Sequence, residues 1–222
     1  MVFVLTRRQS LTLAAAACLA ASPAGAAFRH FPKDGEWLFS ALSADKPVGE
    51  HRIGFRRAGS VLLVRSDSTW QLAQPYQQHV EERWVDGWLR GLISDTRYGA
   101  ETWQVRAEWQ HEALRGHRNG NAFSVAGYSI PHTFWHPESP HVRELLDPRD
   151  AGLKIIESFA IGQRELMVEG EPRRALGYRL NGSIEGALWY DGAGALLAAT
   201  VTLPDGAMVD LHLRQVIEER SG

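Results

Sequence analysis

Three closely spaced histidines are the first residues in this chain that could bind a metal ion. His132, His136 and His141 lie within ten residues of one another, and neutral imidazole is the commonest metal ligand in proteins. On a helix, the i, i+4 spacing would direct His132 and His136 at one ion. However, Pro131 and Pro137 disfavour a regular helix here. A polar loop is therefore favoured over a metal-dependent site using His132 and His136, and we predict no metal and no cofactor.

Other signatures of catalysis are missing from the sequence. Glu81 and Glu82 are adjacent in a predicted strand, so their side chains point to opposite faces and cannot act as a carboxylate pair. A solvated strand face is expected for them, with one buried acid near Arg52 or Arg83 as the alternative. The chain has no Gly-x-Ser-x-Gly turn, no phosphate-binding glycine loop and no dinucleotide fingerprint. Its one cysteine, Cys18, lies in a segment expected to be removed. The sequence therefore favours a non-enzymatic protein.

The tryptophans are the residues that point most directly to ligand binding. All eight lie beyond residue 26. Trp189 must lie on the opposite face of its strand from Leu188 and Tyr190, so this strand is apolar on both sides. Such a strand is either covered twice or lines a cavity, and large amphipathic rings on a concave β surface suit lipids, quinones or other apolar ligands. Packing in the core and at its rim is the alternative explanation. The predicted ligand-binding residues are Trp84, Trp88, Trp103, Trp109 and Trp189.

Turn residues define the elements that must position these side chains. Six Asp-Gly or Asn-Gly pairs, the first at Asp34-Gly35 and the last at Asp205-Gly206, recur at roughly hairpin spacing. Asx-Gly pairs supply the positive φ angles that tight hairpins require, and the runs between them alternate apolar and polar residues. The pattern predicts an all-β, mainly antiparallel fold, in which meandering strands form a strongly curved sheet, half-barrel or sandwich.

The segment Leu176–Val216 predicts its own strand register. A three-residue loop at residues 204–206 pairs Leu203 with Ala207 and Val201 with Val209, which makes one face continuously apolar. A four-residue loop at residues 191–194 would pair Tyr190 with Ala195 and Leu188 with Leu197. We therefore predict a three-stranded meander at this end of the chain.

A proline-rich stretch at residues 127–150 interrupts the strand pattern. It has no clean alternation, and we predict an irregular connection within one β-rich domain. Ser139-Pro140 is typical of a helix N-cap followed by proline at the first helical position. The sequence therefore predicts one short helix near residues 140–147, spanning His141–Leu146 and stopped before Pro148.

The first 26 residues are typical of a cleaved export signal. Arg7 and Arg8 precede an apolar run, and residues 24–26 are small, as a cleavage site requires. The paired arginines favour the twin-arginine route, with an ordinary Sec signal and a lipid anchor at Cys18 as alternatives. We predict a periplasmic protein whose single domain comprises residues 27–222. Cleavage leaves 22 Lys and Arg against 26 Asp and Glu, a net charge of −4, which argues against nucleic acid as a partner.

The chain resembles an uncharacterised family of secreted, β-rich bacterial proteins of about 200 residues, which constitute a domain of unknown function. The resemblance lies in residues 48–55, in Glu81-x-x-Trp84-x-x-Gly87, in residues 188–191 and in Leu203-x-Asp205-Gly206. These are strand and turn markers, so the resemblance implies export but no activity or catalytic residues. More distantly, the meander is similar to the curved sheets of periplasmic lipoprotein carriers.

These observations lead to one main functional hypothesis and two alternatives. The main one is a periplasmic, non-enzymatic protein that binds or delivers a hydrophobic small molecule or lipid, without a transmembrane segment. An accessory protein that docks on an envelope partner by a sheet edge or Trp patch is the first alternative. The second is metal-dependent chemistry at His132 and His136.

Overall fold

The computed structural model describes residues 32–219, which form an antiparallel sheet of fourteen strands. Apart from one 3₁₀ turn at Ser139–His141, the described residues contain no helix. The strands are β1 (Gly35–Ser43), β2 (Lys46–Ala58), β3 (Val61–Trp70), β4 (Tyr76–Val85), β5 (Trp88–Tyr98), β6 (Glu101–Gln110), β7 (Ala113–Arg118), β8 (Asn121–Ala126), β9 (Glu144–Leu146), β10 (Leu153–Val168), β11 (Glu171–Gly182), β12 (Gly186–Tyr190), β13 (Leu196–Thr202) and β14 (Met208–Glu218).

The sheet consists of two meanders joined in the middle. Strands β1 to β8 run outward in chain order on one side, and β14 back to β9 on the other, with β1 paired to β14 at the centre. The two outermost strands, β8 and β9, do not pair, so the curved sheet is not closed. The predicted all-β, antiparallel, strongly curved architecture is confirmed.

Two of the six Asx-Gly pairs form the two-residue hairpin turns that such pairs predict, whereas Gly35 and Gly182 lie within strands β1 and β11. Asn119 and Gly120 have φ of +47° and +81°, and Asp86 and Gly87 have φ of +48° and +79°. Positive φ at both central residues is the signature of a type I′ turn, whose twist matches that of the flanking strands.

The predicted register of the last hairpin is confirmed. Val201 pairs with Val209, the Leu203 amide donates to the carbonyl of Ala207 at 2.8 Å, and Gly206 has φ of +84°. The register predicted for the preceding hairpin is wrong. A bulge lets Tyr190 pair with Leu196 and moves Leu188 opposite Ala199.

The bulge in this hairpin accompanies a longer loop. The Asp191 carboxylate accepts from the amides of Ala193 and Ala195, each at 2.9 Å. These bonds hold a five-residue loop closed, which a register chosen from side-chain alternation alone does not anticipate.

The proline-rich stretch, residues 127–152 in the structure and here called the inner segment, fills the hollow of the sheet. Ile130, Trp135, Leu145 and Leu146 within it are fully buried. The Trp135 ring packs edge-on against Phe55 of β2 at 5.6 Å between centroids. The inner segment is therefore part of the core rather than a surface linker.

The predicted short helix at His141–Leu146 is wrong apart from its start. A single 3₁₀ turn occupies Ser139–His141, where Pro140 is compatible with it. The predicted helical residues that follow instead form β9, which pairs with Leu153–Ile155 of β10. Sheet pairing satisfies the backbone of Leu145 and Leu146 while both side chains are buried, and this outweighs the local preference for helix.

The outer face of the C-terminal meander is covered by its own hairpin. Beyond a bulge near Gly162, strands β10 and β11 extend toward β14, where the Glu169 carboxylate accepts from the Val216 amide at 3.3 Å. The Arg164 guanidinium lies 3.9 Å from the centroid of the Trp189 ring. Trp189 also lies across Gly177, where an added Cβ would come within 2.4 Å of the indole. A strand that is apolar on both sides is either covered twice or lines a cavity, and on the Trp189 side β12 is covered by this hairpin.

Some predictions concern residues outside the described range. The export signal, its cleavage after residue 26 and the fate of Cys18 all lie before residue 32, and they stay predictions, as does the domain boundary. Among residues 32–219, no helix is long and apolar enough to span a membrane.

Candidate functional site

A cavity of about 360 Å³ lies on the concave side of the sheet, between β2–β4, the inner segment and the β13–β14 hairpin. Side-chain alternation along β2 and β3 places His51, Ser68 and Trp70 on this concave face. The inner segment contributes His132, Thr133, Phe134 and Arg149, and the turn after β11 closes the cavity with residues 182–185. The remaining lining residues are Tyr76, Gln78, Val201, Thr202, Leu203, Pro204 and Leu211.

A second, larger depression of about 480 Å³ lies on the outer face, around Gly54 and Gly91. Its floor includes the exposed side chains of Leu63 and Ile93, and its charged lining includes the solvent-exposed ion pair of Arg83 with Glu108. The concave cavity combines apolar and aromatic side chains with a few buried polar groups, so it is the better candidate site.

Two buried polar side chains in the cavity wall are hydrogen-bonded to each other. His51 and Ser68 are direct cross-strand neighbours, and the His51 Nδ1 lies 2.8 Å from the Ser68 Oγ. Burial lowers the pKa of His51 to about 4. The imidazole is therefore neutral at pH 7, and the pair is a hydrogen bond between uncharged groups.

A buried carboxylate, Asp147, organises the charged side of the cavity. Its oxygens lie 2.7 Å from the Arg149 Nη2, 3.5 Å from the Lys154 Nζ and 3.3 Å from the His132 Nε2. Burial alone would raise the pKa of Asp147, but His132 and Arg149 outweigh it and hold that pKa well below its usual range. Asp147 is thus a permanent anion that fixes the positions of both cavity-lining residues.

Two nitrogens of the cavity-lining residues lack a hydrogen-bond partner among residues 32–219. They are the Trp70 Nε1, a donor, and the His132 Nδ1, and both atoms are buried. Trp70 is held by stacking on Tyr76, with 4.5 Å between ring centroids. Leaving a buried polar group unpaired costs about 1–3 kcal/mol, and such groups are rare enough in folded proteins to need an explanation.

The buried Glu82 anchors the inner segment next to the cavity. Its carboxylate accepts from the Thr133 Oγ1 at 2.5 Å, the Trp84 Nε1 at 2.8 Å and the Trp135 Nε1 at 2.9 Å. Burial raises the pKa of Glu82 to about 7, although the three hydrogen bonds act in the opposite direction. The expected solvated face is therefore wrong for Glu82. The alternation of Val80, Glu82 and Trp84 on one face was the signal that could have placed it inside.

The predicted ligand-binding tryptophans lie at separate places, and none lines the concave cavity. Trp84 is buried against Glu82 and stacks on His136, whereas Trp189 lies under Arg164. Trp103 is half-buried on β6.

Only one pair of these tryptophans is brought together. Trp88 and Trp109 lie 5.9 Å apart between ring centroids, with Tyr128 against Trp88 and the Arg90 guanidinium 5.1 Å from the Trp109 ring. The ligand-binding role of the five residues stays a prediction.

The histidines of the inner segment have separate surroundings. His132 faces Asp147, whereas His136 packs between Trp84 and Trp135, with ring centroids 5.1 and 5.2 Å away. No group of three or more His, Cys, Asp or Glu side chains within the described part of the chain is arranged to hold a metal ion. The His132/His136 interpretation therefore has no third ligand there.

The unclosed curved sheet with a filled interior defines a β-barrel-like protein. A solved structure of the same kind is the β-barrel-like protein of domain of unknown function DUF1849 from Brucella abortus. It superposes with a TM-score of 0.59 at 7% identity, over 85% of this chain and 98% of that chain, a likeness that shows the fold alone. Residues 39–214 match the family described as domain of unknown function DUF6134, and the chain belongs to that family. No curated protein matches the chain.

Proposed function

We propose that this protein binds a small molecule with an apolar body in the concave cavity and performs no chemistry on it. The observation that carries the proposal is a preformed cavity of about 360 Å³ whose lining combines apolar and aromatic side chains, among them Trp70, Phe134 and Leu211, with a few polar groups. Such a lining is typical of small-molecule sites. The β-barrel-like fold is compatible with such a role.

The volume of the cavity favours a small molecule over a lipid with two chains. Ligand pockets typically measure about 300–1,000 Å³, and 360 Å³ is at the low end. It corresponds to about a dozen water molecules of liquid volume. Export to the periplasm, predicted from the first 26 residues, is the compartment we propose for this activity.

A variant that fills the cavity tests the proposal. Ile184 lines the cavity from the turn between β11 and β12, outside any strand, so Ile184→Trp should occupy the space without disturbing the sheet. Wild type should show a saturable change in intrinsic fluorescence with at least one fraction of a bacterial envelope extract, and Ile184→Trp should not. Ile155→Trp, at a half-exposed position on β10, is the matched control. A response that persists in Ile184→Trp, or no response in wild type, would contradict the proposal.

A second candidate function is docking on an envelope partner through the edge of β10. Only Leu153–Ile155 of β10 pair with β9, and from Glu157 onward no described strand pairs on that side. Phe159 there is half-exposed. An unpaired, apolar edge strand is a template for strand addition by another chain. Light scattering after size exclusion should detect a larger complex in periplasmic extract that Phe159→Lys abolishes. An identical elution of both proteins as monomers would contradict docking.

A further inference from the structure

We propose that two copies of this protein pair through their β8 strands, which lie antiparallel and are related by a two-fold axis. β8 is the outermost strand of the first meander, and its outer side has no backbone partner among residues 32–219. No residue of β8 lines the concave cavity, so the proposal goes beyond ligand binding and does not depend on it.

β8 lacks the features by which edge strands usually avoid pairing with other chains. Natural edge strands carry charges or proline, or they are bent by a bulge. The six residues Asn121–Ala126 include no charged residue and no proline, and their register with β7 has no irregularity. Four of the six are exposed. The outer side of β8 is therefore open to another strand.

The other open edge, β10 from Glu157 onward, is less suited to a second copy of itself. It carries Glu157 and Glu165, whereas its Arg164 is held over the Trp189 ring. A bulge at Gly162, where φ is +100°, also interrupts its regular geometry. A two-fold axis brings the same surface of both copies together, and like charges opposite one another weaken strand pairing. Because β8 is uncharged, it is free of this penalty.

Backbone geometry determines which residues of β8 bond outward. Directly beyond the paired strands, the Gly127 amide donates to the Glu112 carbonyl of the β6–β7 turn at 3.5 Å. The bonding direction of the backbone alternates from residue to residue along an antiparallel strand, so every second residue before Gly127 also bonds toward β7. The amides and carbonyls of Ala122, Ser124 and Ala126 therefore point outward.

One register of the two β8 strands uses all of these outward groups. With the two-fold axis at Ser124, each Ser124 lies opposite that of the other copy, and each Ala122 lies opposite an Ala126. Every such pair exchanges both N–H···O bonds. A shift by two residues would leave the groups of one alanine unpaired, and a shift by one residue would turn the outer face of one strand toward the inner face of the other.

The side chains fit this register without a steric conflict. On the outer face only the serines and alanines meet, because Ala122, Ser124 and Ala126 are the exposed residues there. On the inner face, Phe123 of one copy lies opposite Val125 of the other, and both residues belong to the rim of the core. Aromatic and β-branched side chains are favourable cross-strand neighbours. The interface is small, so we expect a dimer that dissociates at micromolar concentration.

Sedimentation velocity over a concentration series tests the pairing. Wild type should pass from monomer to dimer between about 1 and 200 µM and grow no further. Ser124→Lys places two lysines opposite each other and should weaken the dimer at least tenfold, and Ser124→Glu should do the same. An equimolar mixture of the two variants should recover a dimer, because lysine then faces glutamate across the axis.

Two substitutions on other strands are the matched controls. Thr69→Lys adds the same charge at an exposed position of β3, which is paired on both sides and lies between Glu50 and Gln77. Glu157→Lys changes the charge of the β10 edge. Both variants should dimerise as wild type does, and thermal denaturation of each variant verifies that it folds.

Each other result would overturn the proposal. A protein that is monomeric at every concentration, or a dimer that Ser124→Lys leaves intact, would exclude pairing through β8. Loss of the dimer in Glu157→Lys would assign it to β10, and growth beyond the dimer would indicate head-to-tail pairing of β8 with β10. Two folded single variants that stay monomeric when mixed would contradict the register centred on Ser124.

Discussion

The buried Glu82 should make the stability of the protein depend on pH in a way that one substitution removes. In the folded protein the pKa of Glu82 is raised from 4.5 to about 7 by burial. Between these two values the folded protein holds a proton on Glu82 that the unfolded chain has released. Stability must therefore fall as the pH rises through this window, and it levels off above pH 7. The separation of the two pKa values corresponds to about 3 kcal/mol.

In the Glu82→Gln variant the glutamine side chain resembles protonated Glu82, but it does not titrate. Its amide oxygen can still accept from Trp84 and Trp135, as the carboxylate does. We expect the free energy of unfolding of Glu82→Gln to equal that of wild type near pH 4.5. It should then exceed that of wild type increasingly, by up to about 3 kcal/mol, near pH 8.

The assay is urea denaturation at half-unit pH intervals from pH 4.5 to pH 8. The quantity compared is the difference in the free energy of unfolding between Glu82→Gln and wild type. The difference is needed because His51 and His136 titrate in the same window with opposite sign. Burial lowers the pKa of each to about 4, so their contribution to stability is lost as the pH falls below 6.5. Both proteins share this contribution, so it cancels.

An exposed neighbour provides the control for this experiment. Glu81 lies on the outer face of the same strand, with its side chain half-exposed. The free energy of unfolding of Glu81→Gln should differ from that of wild type by less than about 0.5 kcal/mol at any pH. A flat difference between Glu82→Gln and wild type would refute the reasoning, because it would mean that Glu82 is ionised throughout. A difference that grows toward low pH would mean that folding lowers the pKa of Glu82 instead of raising it.

Three further substitutions test the packing of the sheet by thermal denaturation. Gly177→Ala should destabilise the folded protein by about 1–3 kcal/mol, because the new Cβ meets the Trp189 indole. This loss of stability should shrink in a Trp189→Ala background, and an unchanged loss there would contradict the contact. Gly206→Val should cost about 1–3 kcal/mol, because φ of +84° is strained for a β-branched residue, whereas an unchanged melting temperature would contradict the three-residue loop. Tyr190→Phe should cost about 0.5–1.5 kcal/mol, because its hydroxyl donates to the Phe134 carbonyl at 2.7 Å, and no loss would mean that this bond does not hold the inner segment.

The sheet was predictable where local chemistry determines it. The Asx-Gly turns and the alternation of Val201, Leu203, Val209 and Leu211 are sufficient to define the last hairpin. The register at Leu188 was not predictable in this way, because its bulge depends on how a loop closes and not on which faces are apolar.

The inner segment and the cavity were not predictable, because both depend on contacts between distant parts of the chain. Its prolines indicated an irregular connection, but nothing local indicated that Trp135 would be fully buried against two strands. Likewise, nothing local indicates that His132 and Trp70 line the same cavity, since the curvature of the sheet creates that space. Glu82 is the exception, because strand alternation alone would have placed it on the inner face.

The central pairing of β1 with β14 has a consequence for how the chain folds. Every other neighbouring pair of described strands is consecutive in sequence, whereas this one joins residues as distant as Gly35 and Glu218. Local hairpins form in microseconds, and pairings across long loops must first overcome the entropy of closing them. Loop-closure entropy therefore favours formation of the hairpins within each meander before β1 pairs with β14 at the middle of the sheet. Before that pairing forms, the unpaired sides of β1 and β14 are open edges that a chaperone or a second chain could occupy.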